Sequence, residues 1–178
     1  MTIRPTTPDD DEALLDFYRS LSEEVARVFL PESPVSHDTI SAHLGGVETG
    51  ACLSLVLEDS EGQVMGHAFI QPLDGPRPMV GIGLRDAIIG YGFGRRLMER
   101  LLQIADERRL PATWLSVVKG NDRAESLYRS LGYRRNGQST FRRHNDSWSM
   151  IRRLPQRGDA DARESEIMSL GKLFRRGE

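Results

Sequence analysis

Gly90, Gly92 and Gly94 stand at alternate positions immediately before Arg95 and Arg96, and the chemistry such a stretch offers is anion binding. Glycines lack the Cβ atoms that would hold a bulky anion away, and they take φ > 0 in a tight loop. A helix opening at such a turn presents free backbone N–H groups and the positive end of its dipole, which together suit a phosphate. Two arginines in the first turn oppose that dipole unless an anion sits nearby. A turn carrying two solvated arginines is the plainer alternative. A nucleotide or nucleotide-like ligand is the first expectation, yet neither common phosphate loop fits. A P-loop needs Lys and then Ser or Thr after its last glycine, where this chain has Arg95-Arg96. A dinucleotide fingerprint has a wider final glycine spacing and a fitting acidic residue about 20 positions on, and both are missing.

The remaining reactive side chains are sparse. Cys52 is the only cysteine, so no intrachain disulfide and no multi-cysteine metal site is expected, and its setting before Leu53 suits a buried small residue. Of the four histidines, His37 and His43 lie six apart, off the i, i+4 spacing of a helical metal site. No metal is expected. The acidic run Asp9 to Glu12 reads as a helix start that complements the dipole.

The elements that must position the glycine turn can be read from periodicity. Met79 to Leu84 is a short apolar strand, and Leu97, Leu101, Ile104 and Ala105 mark one face of a helix that ends at Pro111. Thr113 to Val118 is a second strand, so strand, helix and strand form a right-handed βαβ unit with parallel strands. Before it, Ile3-Arg4 predicts a short edge strand, and Thr7-Pro8-Asp9-Asp10 predicts the start of one helix running to about Val28. Ser36 caps a second helix that reaches His43 and Leu44 and stops at Gly45-Gly46. Leu53, Leu55 and Leu57 alternate in one strand and Val64, Gly66, Ala68 and Ile70 in the next, a hairpin turning at Asp59 to Gly62. After the βαβ unit, Asn121 caps a short helix with Ala124, Leu127, Tyr128 and Leu131 on one face and Gly132 at its end. Tyr133 to Asn136 and Ser147 to Leu154 form a closing antiparallel pair, with Gly137 to Asp146 between them.

Two stretches carry a resemblance. Ile89-Gly90-Tyr91-Gly92-Phe93-Gly94 resembles the pyrophosphate loop of the Gcn5-related N-acetyltransferase (GNAT) superfamily, Gln/Arg-x-x-Gly-x-Gly/Ala, with Ile89 in place of the first residue. Because backbone N–H groups make the main anion contacts in such a loop, Ile89 implies weakened or rearranged contacts and not a dead site. Asn121-x-x-Ala124-x-x-Leu127-Tyr128-x-x-Leu131-Gly132-Tyr133 resembles the superfamily's second signature, Asn-x-x-Ala-x-x-Leu-Tyr-x-x-x-Gly-Phe. Two signatures in the right order, a helix and a strand apart, are far more specific than either alone.

The resemblance implies a mixed α/β, single-domain GNAT-like fold over residues 1–154. Its central twisted mixed sheet is flanked by helices and has a parallel βαβ core with splayed strands; a charged tail follows at 155–178. It implies an N-acetyltransferase that moves an acetyl group from acetyl-CoA to a primary amine by direct attack in a ternary complex. Backbone groups of Ile82, Gly83 and Leu84 would pair with the pantetheine arm, the turn Gly90, Tyr91, Gly92, Phe93, Gly94, Arg95 would hold the pyrophosphate, and Asn121 would contact the arm. Tyr128 would protonate the departing thiolate. A phenol of pKa near 10 is a ready acid for a thiolate whose conjugate acid has a pKa of about 8 to 9. A core tyrosine hydrogen-bonded at its tip is the structural alternative.

The attacking amine must lose a proton. An alkylamine is only ~0.1% neutral at pH 7, so a base or water relay is worth roughly 4 kcal/mol. In ribosomal-protein N-terminal acetyltransferases a glutamate on the strand after the main helix is the base, and Ser116 stands there. His67, Glu58, Asp86 and water are the candidates. A small-molecule amine is the preferred acceptor and a protein N-terminus or lysine the alternative. A non-catalytic acyl-CoA-binding or sensing domain would keep the loop without the acid. Residues 29–49 are expected to border the acceptor and set selectivity.

At 178 residues with 28% charged and 38% hydrophobic residues, the chain has the composition of an ordinary soluble domain. A net charge of −2 argues against nucleic acid as an obligate partner. No apolar run is long enough to span a bilayer and the N-terminus lacks a signal-peptide core, so a cytoplasmic location without membrane attachment is expected. The tail holds a helical pattern at Ile167, Leu170 and Phe174, which leaves docking on the body, homodimer contacts or disorder open.

Overall fold

Alternating apolar residues build the centre of the molecule. In the computed structural model, which describes residues 1–29, 35–138 and 146–154, Leu53–Glu58 (β2) and Val64–Gln71 (β3) pair as an antiparallel hairpin. Thr2–Pro5 (β1) is the edge strand beside β2. Met79–Leu84 (β4) follows β3, and Ala112–Val118 (β5) lies parallel to β4. Arg134–Gln138 (β6) and Ser147–Arg153 (β7) complete the sheet, with β7 inserted between β5 and β6. Among the described residues these seven strands form one sheet in the order β1-β2-β3-β4-β5-β7-β6. The tail at 155–178 lies outside the described residues.

Helices cover both faces. Asp11–Arg19 (α1), Glu23–Phe29 (α2) and His37–Glu48 (α3) pack on one, around Leu14, Phe17, Ile40, Leu44, Val56 and Phe69. Phe93–Glu107 (α4) packs on the other, around Leu55, Leu57, Ile70, Leu97, Leu101 and Leu115, and Asp122–Ser130 (α5) contributes Ala124 and Tyr128 to that side. Coverage of both faces explains why Ser54 and His67, on the polar beat of the alternation, are also buried.

Two predicted helix boundaries are corrected. The helix expected to run to Val28 begins as a single 3-10 turn at Pro8–Asp10, ends at Arg19, and restarts as α2. At the break, Ser20 Oγ donates to the Phe17 carbonyl and Ser22 Oγ accepts from the Val25 amide, local bonds that compete with a continuous helix. The second helix does not stop at Gly45-Gly46 but runs through both. Its glycine terminator is Gly50, at φ +77°, and the Thr49 hydroxyl donates to the Gly45 and Gly46 carbonyls. Burial of Ile40 and Leu44 outweighs the roughly 1 kcal/mol that each mid-helix glycine costs.

A buried polar chain crosses the face under α1 and α3. His43 Nδ1 lies 3.0 Å from Gln71 Oε1 and His43 Nε2 lies 3.0 Å from Ser54 Oγ. Ser54 Oγ lies 2.8 Å from His67 Nε2, and His67 Nδ1 lies 2.7 Å from the Tyr18 hydroxyl. One proton order satisfies all four contacts. His43 donates to Gln71 and accepts from Ser54, while His67 donates to Ser54 and accepts from Tyr18, with both imidazoles neutral. Desolvation holds both rings below the ordinary histidine range, most strongly at His67, where the neighbouring His43 acts in the same direction.

Candidate active site

The site begins where two parallel strands part. β4 and β5 pair only at Met79 and Trp114, where the Trp114 amide donates to the Pro78 carbonyl at 2.9 Å. Beyond that point the strands diverge toward Leu84 and Val118. Backbone polar groups along β4 that would bond to a flush neighbour therefore face a gap. A cleft of about 960 Å³ occupies it, with Ile82, Gly83 and Leu84 on one wall and Ser116, Val117 and Val118 on the other. That volume suits a small-molecule ligand.

The glycine turn closes one end. Gly90 (φ +95°) and Gly92 (φ +84°) both lie in the left-handed region, and a Cβ at either would meet open space. Backbone conformation and clearance, not packing, thus require glycine there. Gly92 is the N-cap of α4 and no side chain caps it; the first intrahelical bond runs from the Arg96 amide to the Gly92 carbonyl. The amides of Phe93, Gly94 and Arg95 precede that bond, the kind of helix start whose free N–H groups suit an anion.

The two arginines are less diagnostic than their spacing suggested. Arg95 donates to Ser130 Oγ at 2.9 Å and pairs with Glu99, and Arg96 lies over the Phe93 ring. Gly90, Gly92, Gly94 and Arg95 line the cleft, and so does Ile89 in extended backbone. Tyr91 and Phe93 do not: Tyr91 is 76% exposed, and Phe93 packs against the α4-side core.

α5 supplies the opposite corner. Asn121 lines the cleft and caps α5, its Oδ1 accepting from the Ala124 amide at 3.2 Å. About two turns further on, half-buried Tyr128 also lines the cleft, edge-on to Tyr133 with ring centroids 6.1 Å apart. Tyr133 is buried and hydrogen-bonded to Thr113 Oγ1 at 2.8 Å, and burial pushes its phenol well above the usual range. It is a packing residue. Glu125 holds this corner together: Arg135 and Arg129 both bond its carboxylate and keep it below the ordinary range. Trp148 of β7 lies between Arg135 and Lys119, at 4.5 and 4.7 Å from its ring.

The remaining wall is α2, which the sequence pattern placed within a longer helix; of residues 29–49, expected to border the acceptor, Phe29 lines the cleft, and the described residues 35–49 do not. Glu24, Val25, Val28 and Phe29 face the cleft. The Phe29 ring rests on Gly83, where a Cβ would stand 2.0 Å from its Cδ1, and Tyr18 stacks behind it at 5.8 Å and 15°. Gly83→Ala is expected to push Phe29 off the strand and destabilise the protein by about 1–3 kcal/mol, read from the midpoint of urea unfolding. The signal for this role was a glycine on a strand with nothing else to explain it.

None of the three side chains named as a base lines the cleft. His67 lies within the buried polar chain, Glu58 pairs with Arg4, and Asp86 accepts from the Ser22 hydroxyl. Ser116 does line it. Among the described residues, no cluster of three or more His, Cys, Asp or Glu could hold a metal ion, and no helix is long and apolar enough to cross a membrane.

Comparison with known proteins places this geometry. Residues 12–133 match the model of the acetyltransferase (GNAT) family. The N-alpha-acetyltransferase RimI of Mycobacterium tuberculosis is 39% identical over 82 residues, covering 44% of this chain and 50% of that protein. The match thus spans about half of that curated relative. A ribosomal-protein-alanine N-acetyltransferase from Brucella melitensis shares the fold with a TM-score of 0.72 at 23% identity, over 86% of this chain and 100% of that one. A PaiA N-acetyltransferase from Thermoplasma acidophilum, solved in complex with coenzyme A, has a TM-score of 0.70 at 13% identity, over 86% and 100% of the two chains.

Proposed function

The chain belongs to the acetyltransferase (GNAT) family, and from that premise we propose that it is an N-acetyltransferase using acetyl-CoA and a primary amine in a ternary complex, with Tyr128 as general acid. The observation that carries this reading is the meeting, in one cleft, of the splayed β4 and β5, an uncapped glycine turn, Asn121 and Tyr128. Open space beyond Gly90 and Gly92 fits a pyrophosphate, and the gap between the strands fits an extended arm. Ile82, Gly83 and Leu84 would hold the pantetheine arm through backbone groups, the turn from Gly90 to Arg95 would hold the pyrophosphate, and the Asn121 amide would touch the arm.

Bound there, acetyl-CoA supplies the acetyl group as a thioester. The amine nitrogen bonds to the carbonyl carbon, the C–S bond breaks, and the Tyr128 hydroxyl gives its proton to sulfur. The proton lost by the amine returns through solvent to the phenolate. No histidine is among the residues lining the cleft to take that proton, and the carboxylates there are Glu24 and Asp122.

This weighs on the acceptor. A protein α-amine, with a pKa of about 7.7–8.0, is roughly a tenth neutral at pH 7 and needs little help, whereas an alkylamine is only ~0.1% neutral. The cleft chemistry and the name of the similar N-alpha-acetyltransferase favour a protein N-terminus over the small-molecule amine, which the lack of a strongly acidic or basic docking stretch had suggested. Thiol release from acetyl-CoA, measured with peptide α-amines and a panel of small amines, tests the proposal. For an α-amine acceptor, kcat/KM rises about tenfold per pH unit below pH 7.5 and levels near pH 8. A rise continuing past pH 9 would point to an alkylamine. Saturable binding without release from any amine would instead point to a sensing domain.

A further inference from the structure

The α2 wall of the cleft is fastened at both ends to the segment that runs from β4 into the glycine turn. At the C-terminal end of α2, Phe29 rests on Gly83 of β4. At its N-terminal end, Ser22 is bound by Asp86, three residues before Ile89: the Ser22 hydroxyl donates to Oδ1 at 2.7 Å and the Ser22 amide to Oδ2 at 3.3 Å. The same hydroxyl accepts from the Val25 amide, so it joins the first turn of α2 to the carboxylate. Beside it, Arg85 binds Asp16 of α1 and the Val64 carbonyl.

Asp86 opens the 3-10 turn Asp86–Ile88, whose Ile88 is buried under α4 and whose end is Ile89. A displacement of the glycine turn therefore reaches Asp86 through three residues of hydrogen-bonded backbone, with Ile88 as the packed pivot.

We propose that Asp86 is a positioning residue: by holding Ser22 it ties α2, one wall of the cleft, to the glycine turn, so that filling the turn orders the wall. The proposal rests on the acetyl-CoA reading above. It gives Asp86 a role through another element, where its residue type alone had suggested a base. Both carboxylate oxygens are engaged by Ser22, and the side chain is not among those lining the cleft.

Hydrogen exchange with coenzyme A alone as the probe tests this without turnover. In the wild-type chain, saturating coenzyme A is expected to slow amide exchange at least fivefold both in residues 86–96 and in 23–29. In Asp86→Ala, the protection of 86–96 persists while that of 23–29 falls below twofold. Ser22→Ala, which removes the shorter of the two contacts, is expected to give the same split and carries the test should Asp86→Ala fail to fold, as thermal melting would reveal. Protection of 23–29 that survives in a folded variant, or that never appears in the wild type beside a protected turn, overturns the positioning role alone. No protection at 86–96 in the wild type overturns the acetyl-CoA reading and the proposal with it.

Discussion

Replacing Tyr128 by phenylalanine is expected to lower kcat about a hundredfold, at the lower end of what a positioned general acid contributes. The departing thiolate must otherwise leave as an anion or find a proton from water in a cleft narrowed by the walls of β4 and β5. Tyr128 is the tyrosine placed for this. It lines the cleft about two turns from Asn121, whereas its neighbour Tyr133 is buried and held by Thr113. Phenylalanine keeps the edge-on contact with Tyr133, so the stability change should stay below about 1.5 kcal/mol, and the affinity for coenzyme A should be unchanged. Stopped-flow or steady-state thiol release under conditions where chemistry limits turnover is the measurement. A Tyr128→Phe enzyme with wild-type kcat under those conditions would rule out the general-acid role.

The second large effect concerns stability below neutral pH. The chain from Gln71 through His43, Ser54 and His67 to Tyr18 is satisfied with both imidazoles neutral, and a proton added to either ring would turn the hydroxyl that now donates to it, Ser54 or Tyr18, into an acceptor and place a charge in a buried setting. Desolvation holds both rings below their ordinary pKa, near 6.5 in the unfolded chain. Between the two values the unfolded state binds more protons than the folded state, so stability is complete above about pH 6.5 and declines as pH falls toward the folded pKa. Each histidine contributes a slope of up to about 1.4 kcal/mol per pH unit in that window, with His67 acting over the wider range. Asp10, depressed by its bonds to Arg4 against the opposing effect of burial, adds acid lability only below the carboxylate range. Against a total stability of order 5–15 kcal/mol, a descent from pH 7 to pH 5 should therefore move the urea midpoint markedly. His67→Gln should be less stable than wild type at pH 7.5 but show a shallower decline. Equal slopes in the two proteins, or imidazole NMR signals of His67 that titrate near 6.5, would exclude this account.

Local chemistry was sufficient for much of the architecture. The βαβ unit follows from apolar period and terminators, and the structure contains it as β4, α4 and β5. Asn121 reads as a cap because a side-chain oxygen three residues before an amide can reach it, and it does so. The turn glycines at 90 and 92 could be singled out because positive φ is a property of the residue itself, before any partner is considered. In each case the deciding interaction lies within a few residues along the chain.

What only the tertiary structure decided depends on partners distant in sequence. The first helix splits because Ser22 finds its own turn and Asp86, 64 residues away. α3 passes through its glycine pair because Ile40 and Leu44 gain more by burial on the sheet than glycine costs. Burial of the sheet on both faces turned Ser54, His43 and His67 into a polar chain and removed His67 from the candidate bases, which no single-strand periodicity could reveal. The cleft itself is a difference between two strands, one pair in register and the rest apart, and α2 became its wall only because Gly83 leaves room for Phe29. The sequence thus determined which residues could bind an anion and give up a proton. Packing between distant segments decided which of them share a cavity, because burial and strand splay are properties of the assembled sheet and not of any window of residues.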